Sequence, residues 1–360
     1  MKSSAAFLLH AALALAHSGI SRVTVDGTEY LTWDPRIDSF LGDVKRVGWS
    51  YDTLKIAMPN VGPVSGPLSA NFAPVSNIES PDLACGKNAK APALKAVTRA
   101  GAPVSVKWSN IIEMHRGPII TWMGQYTPGM SPNEVKFFKV DAPSYDAKTD
   151  TWANERAARN NQTHTFMIPS DIKPGAYVVR TELLALHTNS PSFALTPLGG
   201  PEFYLGCFNV DVQGSGTATP EGSTFPGAYK KGDKGLTFAP YYGTGSGVEV
   251  DSKYVVPGPA LYEGKHDAPA GSPPAVKETG KYAPALQAKY DVLKTDMEQN
   301  GGAIIKLVNK AWPANQELAE AGLNYIKMQF STEWRDTMSK YEGTRKEVDN
   351  FKAELDKQKQ

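Results

Sequence analysis

Histidine 17 stands directly behind Ala14-Leu15-Ala16, and its position offers metal chemistry. The Ala-x-Ala pattern closes a stretch with the parts of a removable leader. Lys2 supplies the charged start, and the apolar run from Ala5 to Ala16 is too short to span a bilayer. Residues 1–16 therefore read as a signal peptide, and cleavage after Ala16 would make His17 the first residue of the mature chain. A terminal histidine carries two nitrogen ligands, its free amine and its imidazole, close enough to hold one metal ion together. The competing reading is coincidence, since any residue can follow a cleavage site.

Of the six histidines, His10 leaves with the leader, His266 lies in a polar stretch and His164 opens a strand, where a structural role is expected. His115, in "EMHRGPIITW", sits where an irregular stretch enters a strand, with Gly117 and Pro118 fixing the backbone beside it. His187, in "ALHTN", closes another strand, and Glu202 and Tyr204 lie on the strand that follows. Alone, each reads as an ordinary polar residue. Combined with a free terminal histidine they make a coherent site: His17 gives two nitrogens and His115 a third, with room for an exogenous ligand and a tyrosine oxygen on a long axial side. Nitrogen-rich planar ligation suits Cu(II), whereas zinc prefers a tetrahedron.

The elements that must position these residues fall into two regions. From His17 to Glu263 the chain is written in short strands punctuated by glycine and proline. "RVTVDGTEY" alternates around an Asp26-Gly27 hairpin turn. "PVSVKW", "GPIITWMGQY", "HTFMIP", "GAYVVRTELLAL" and "PEFYLGCFNVDV" are further strands, which together predict an all-β sandwich. Residues 264–281 are small, polar and proline-rich, a linker by composition. Residues 282–360 are charged and helical in pattern. Leu286, Tyr290, Leu293 and Met297 share one helix face, and Gly301-Gly302 is expected to break that run. A second stripe passes through Ile326, Phe330, Trp334, Met338, Tyr341, Val348 and Leu355. Such stripes can pack on each other, on the sandwich or on another chain, leaving a protein partner or self-association open. The extension is expected to be dispensable for metal chemistry.

With 38 basic and 37 acidic residues in 360, the chain has no charge excess for nucleic acid or an anionic membrane. No other segment is apolar enough to cross a bilayer, so a secreted extracellular protein is expected. Cys85 and Cys207, an even pair in an exported chain, are expected to form one disulfide. Closing so long a loop stabilises by removing chain entropy from the unfolded state. Asn161-Gln162-Thr163 is a sequon for a surface glycan.

The stretches "HRGPIITWMGQY", "GAYVVRTELLALH" and "GGPEFYLGCFNVDVQGSG", with "FPGAY" and "YVVPGPALY" later, resemble the fungal lytic polysaccharide monooxygenases of auxiliary activity family 9. The resemblance runs collinearly from His17 to Glu263. It implies an immunoglobulin-like sandwich with one copper ion on a flat face, where His17 and His115 form a histidine brace and Tyr204 is axial. His187 and Glu202 would stand beside the vacant copper position, and Cys85–Cys207 would be the family disulfide. The implied reaction is oxidative cleavage of cellulose or a related β-1,4-glucan at C1 or C4, with an external electron donor and dioxygen or peroxide. Tyr241, Tyr242 and Tyr254 fall in the late loop, where aromatic faces could stack on sugar rings. One departure stands out: Glu202 occupies the place of the family glutamine. Two other classes compete, a non-catalytic copper-binding or cell-surface protein and a glycoside hydrolase using paired carboxylates such as Glu113 and Glu182.

Overall fold

The computed structural model describes residues 18–42, 44–52, 57–58, 62–63, 72, 74–189, 199–240, 251–311 and 331–358. The leader, His17, Tyr241, Tyr242, Ile326 and Phe330 lie outside the described residues. The opening hairpin joins β1 (Ile20–Val25) to β2 (Thr28–Leu31). Its turn residues Asp26 and Gly27 take φ of 47° and 83°, the two positive angles that a tight hairpin demands. A small hairpin follows, β3 (Ala57–Met58) with β4 (Gly62–Pro63). The remaining strands are β5 (Ala96–Arg99), β6 (Pro103–Trp108), β7 (Ile119–Gln125), β8 (Phe138–Asp141), β9 (Thr163–Met167), β10 (Gly175–Ala185) and β11 (Glu202–Gln213).

One sheet has the order β2-β1-β6-β9 and the other β5-β11-β10-β7-β8. They face each other across a core that includes Val23, Tyr30, Val106 and Trp108 from the first sheet and Tyr177, Val179, Phe208 and Val210 from the second. The outer face of the second sheet is covered too. Trp49, Trp122, Phe137, Trp152, Phe203, Phe225 and Tyr229 pack there, which explains why β10 and β11 are buried almost along their whole length. Cys85 and Cys207 are bonded, with Cα atoms 5.3 Å apart, and tie this outer layer to β11. Asn161 is exposed in the turn ahead of β9, open to a glycan.

Five α-helices belong to the described residues: α1 (Asp38–Leu41), α2 (Ala153–Arg159), α3 (Lys234–Thr237), α4 (Pro284–Ala311) and α5 (Thr332–Gln358). Helix α4 runs straight through Gly301-Gly302, against the expected break. Each glycine costs a helix about 1 kcal/mol relative to alanine, which packing along the rest of the helix can offset.

The two long helices form an antiparallel hairpin that lies on the sandwich. Leu286, Tyr290, Leu293 and Met297 of α4 meet Tyr341, Val348, Phe351 and Leu355 of α5, and the same cluster takes in Leu31, Ile37 and Leu41. Arg345 of α5 stacks over the Phe40 ring at 3.4 Å. Among the described residues, the stripes that could have served another chain are thus covered within this one, Trp334 and Met338 only in part. Residues 264–283 have no regular structure, yet they are fastened to the sandwich like a strap. Ser170 N–H donates to Lys265 O at 2.8 Å, Leu31 N–H to Thr279 O at 3.1 Å, and Arg46 Nη1 to Gly280 O at 2.7 Å.

A buried ionic network underlies the hairpin. Arg36 is paired with Asp34 at 2.7 Å and Arg46 with Asp38 at 2.8 Å. Tyr290 of α4 donates to Asp38 at 3.1 Å. Lys294, also of α4 and fully buried, lies 3.7 Å from Asp34. Burial would raise the Asp34 carboxyl, but the charges of Arg36 and Lys294 more than offset it and hold it at about 2. Lost protein partners would leave these charges uncompensated, so the hairpin is built into the fold.

Candidate metal centre

Three segments converge at one end of the sandwich. His115 lies in the irregular stretch before β7, His187 two residues beyond β10, and Glu202 at the start of β11. The pairing Ala185↔Glu202 places the end of β10 beside the start of β11, so His187 and Glu202 meet. Strand alternation puts Tyr204 on the same side as Glu202. The His115 and His187 rings stack with centroids 3.8 Å apart and planes 8° from parallel. The Tyr204 ring lies 5.7 Å from that of His115. His115, His187 and Glu202 each present a ligand atom, all within 4.8 Å of one another.

Tyr204 is almost fully buried, and its hydroxyl donates to Glu202 Oε2 at 2.7 Å. His187 Nε2 lies 3.7 Å from the same carboxylate. Burial pushes the Glu202 carboxyl up to about 7, against the Tyr204 hydrogen bond that favours its charged form. Burial and the neighbouring carboxylate also raise the Tyr204 phenol well above its ordinary value. Glu202 can therefore stand protonated near neutral pH, where it donates a hydrogen bond, or ionised, where it only accepts.

The loop that carries His115 is held by α2, which the sequence reading did not anticipate. Asn154 is buried and bonds both sides of the loop. Its Nδ2 donates to Ile112 O at 3.1 Å and to Glu113 O at 3.3 Å, while its Oδ1 accepts from Gly117 N–H at 3.2 Å. Arg159 of the same helix pairs with Glu113 at 2.8 Å and Glu155 with Arg116 at 3.4 Å. Gly117 is required sterically, because a Cβ there would stand 1.8 Å from Leu184 O. The run Trp152-Ala-Asn-Glu-Arg-Ala-Ala-Arg carries the one local signal for this helix: Glu155 reaches back to Trp152 N–H at 2.7 Å, as a third-position glutamate does.

The chain next to His17 is equally constrained. Ser18 is buried and its hydroxyl donates to Asn110 O. Gly19 and Ser109 bond each other twice, Gly19 N–H to Ser109 Oγ at 3.2 Å and Ser109 N–H to Gly19 O at 2.8 Å. This fastens the N-terminal strand to the segment that leads on to His115.

Other candidate residues take different roles. Tyr254 packs edge-on against Trp152, ring centres 4.9 Å apart, and against Phe238 at 5.3 Å, so its ring is used in the outer core and not as a sugar platform. Glu182 is fully buried, bonded to Arg180 at 2.7 Å, to Trp122 Nε1 at 3.2 Å and to the Tyr229 hydroxyl, while Glu113 is on the surface with Arg159. A substrate cannot reach Glu182, which removes the hydrolytic pair. His164 pairs with Asp141 at 2.6 Å between the edge strands β9 and β8 of the two sheets, a structural contact, and His266 is exposed in the strap.

The donors fit copper: imidazole nitrogens with a phenol oxygen nearby, and no thiolate, because both cysteines are spent in the disulfide. Comparison with known proteins agrees. The family model of Auxiliary Activity family 9 (formerly GH61) matches residues 17–249. The chain is 34% identical over 271 residues to the AA9 family lytic polysaccharide monooxygenase A of Geotrichum candidum, covering 73% of this chain and 83% of that relative. It is 30% identical over 279 residues to monooxygenase H of the same family from Thermothelomyces thermophilus, covering 76% and 73%. Cel61B of Hypocrea jecorina, a glycoside hydrolase family 61 member, superposes with a TM-score of 0.57 at 26% identity, covering 68% of this chain and 100% of that one. The extended catalytic domain of H. jecorina LPMO9A gives 0.57 at 26% identity, covering 72% and 97%. The chain belongs to auxiliary activity family 9, the copper-dependent lytic polysaccharide monooxygenases.

Proposed function

We propose that this protein is secreted and cleaves cellulose or a related β-1,4-glucan oxidatively at C1 or C4, using an external reductant with dioxygen or hydrogen peroxide. The reading rests on the meeting of His115, His187, Glu202 and Tyr204 at one end of a sandwich of this family. His17, through its amine and imidazole, and His115 would hold the copper, with the Tyr204 oxygen as a further, weaker donor. When bound, the copper supplies one-electron redox chemistry and activation of the oxygen cosubstrate.

The chain's own share is to orient, screen and place a proton. The stacked ring of His187 limits rotation of His115. Tyr204 fills the space beneath the site and keeps its hydroxyl on Glu202, which excludes water from that side. Glu202, its carboxyl pushed up to about 7 by burial, can offer an O–H where the family glutamine offers an N–H, and His187 Nε2 stands 3.7 Å from the same carboxyl. Tyr241 and Tyr242 are the aromatic residues proposed to meet the glucan.

Calorimetric copper titration of three forms tests this assignment. The mature protein should bind one ion, and His115→Ala should lose at least a hundredfold in affinity. Glu202→Gln should stay within about threefold, roughly 0.7 kcal/mol, and keep or increase oxidative turnover. Loss of copper binding in Glu202→Gln would make Glu202 a ligand and overturn the assignment.

A further inference from the structure

Helix α4 reaches the segment that leads from His17. Lys294, fully buried, donates from Nζ to Ser21 O at 2.7 Å and lies 3.7 Å from Asp34. One turn further along, the backbone carbonyl of Glu298 accepts from Asn110 Nδ2 at 3.4 Å. One turn earlier, Asp291 stands 3.6 Å from Arg22. Three successive turns of one helix face thus touch Ser21, Arg22 and Asn110. Asn110 is also the residue whose carbonyl receives the Ser18 hydroxyl, and Ser109 is doubly bonded to Gly19.

A buried ammonium bonded to a backbone carbonyl is expensive to desolvate and persists only where its geometry is well satisfied. Here it is directed at the main chain four residues from His17, with Asp34 as its counter-charge. The same Asp34 is already paired with Arg36, so neutralising that carboxylate did not require Lys294. Its distinctive contact is Ser21 O.

We propose that the C-terminal helical hairpin is a positioning element of the copper site, acting through Lys294 and the Asn110–Glu298 contact to fix the path of Ser18–Arg22 and hence the terminal histidine. The proposal rests on the reading of His17 and His115 as copper ligands. Lys294 is a positioning residue: it touches neither metal nor substrate. A brace of three nitrogens from two residues tolerates little error in the strand that presents one of them, since geometry decides the fit to Cu(II).

Copper titration and Cu(II) electron paramagnetic resonance on the mature full-length protein test it, with Lys294→Met, Asn110→Ala and Lys289→Ala as variants. Lys289 lies on the same helix in an exposed pair with Glu354 and does not touch the sandwich segment. Asn110→Ala removes the link to α4 but keeps the carbonyl that Ser18 uses. At a temperature where each variant is folded by circular dichroism, Lys294→Met should bind copper about tenfold more weakly and give an altered, heterogeneous hyperfine pattern. Asn110→Ala should move both readouts in the same direction by less, and Lys289→Ala neither. A purely structural role would lower the melting temperature of Lys294→Met while leaving affinity and spectrum at wild-type values, and that result overturns the proposal. If Lys294→Met does not fold, wild-type affinity and spectrum in Asn110→Ala overturn it equally. His115→Ala in the same series separates the two levels: unchanged copper affinity there would reject the copper site itself.

Discussion

Removing residues 264–360 is expected to destabilise the sandwich severely, with a melting temperature lower by roughly 10 °C or more, or no soluble product at all. Leu31, Ile37 and Leu41 are buried in the cluster that α4 and α5 complete. Fully exposing even two such side chains costs about 3–6 kcal/mol. For a domain of this size each kcal/mol is worth about 2–4 °C. Polar losses add to this. Asp38 would lose Tyr290, Asp34 would lose Lys294, and Leu31 N–H and Arg46 would lose the carbonyls of Thr279 and Gly280. Differential scanning calorimetry of the truncated and full-length mature chains measures the effect. Equal melting temperatures would show that the hairpin only rests on the sandwich.

A chain that retains even one residue ahead of His17 is expected to bind copper at least a hundredfold more weakly, about 2.8 kcal/mol. A free α-amine with a pKa near 7.7–8.0 is a basic nitrogen that the metal can take from its proton at neutral pH. Linked to a preceding residue it becomes an amide, and one of three nitrogen ligands is lost. Parallel titrations of the processed and extended chains compare the two, and equal affinities would remove the terminal amine from the site.

Much of the fold was legible because strand patterns are local. "PVSVKW" coincides with β6 residue for residue, and the Asp26-Gly27 turn with its hairpin. The short strand β8 does not stand out in the sequence, for a reason visible in its side chains. In β8, Lys139 reads as solvent-facing, yet it is buried, over Trp122 at 5.1 Å and bonded to Pro257 O at 2.9 Å. A partner 118 residues away leaves no local mark.

The same distinction divides the site. Tyr204 and Glu202 on one face follow from alternation, and the structure joins them by a hydrogen bond. The approach of His187 to Glu202 depends on the register of β10 against β11. Asn154 gave no sign that it clasps residues 112, 113 and 117, because only the fold brings α2 to that loop. The apolar stripes announced that the extension packs, but a stripe does not name its partner. Lys294 beside the stripe reads as a solvated lysine until the sandwich closes over it.

Mass spectrometry of the soluble products released from microcrystalline cellulose tests the central claim most directly. Copper-loaded mature protein would be incubated with and without ascorbate under air. Oligosaccharides bearing aldonic acid or 4-keto ends should appear only with the reductant, and should vanish on chelation of copper. Unoxidised oligosaccharides released equally without reductant, or no products from a protein that has taken up copper, would contradict it.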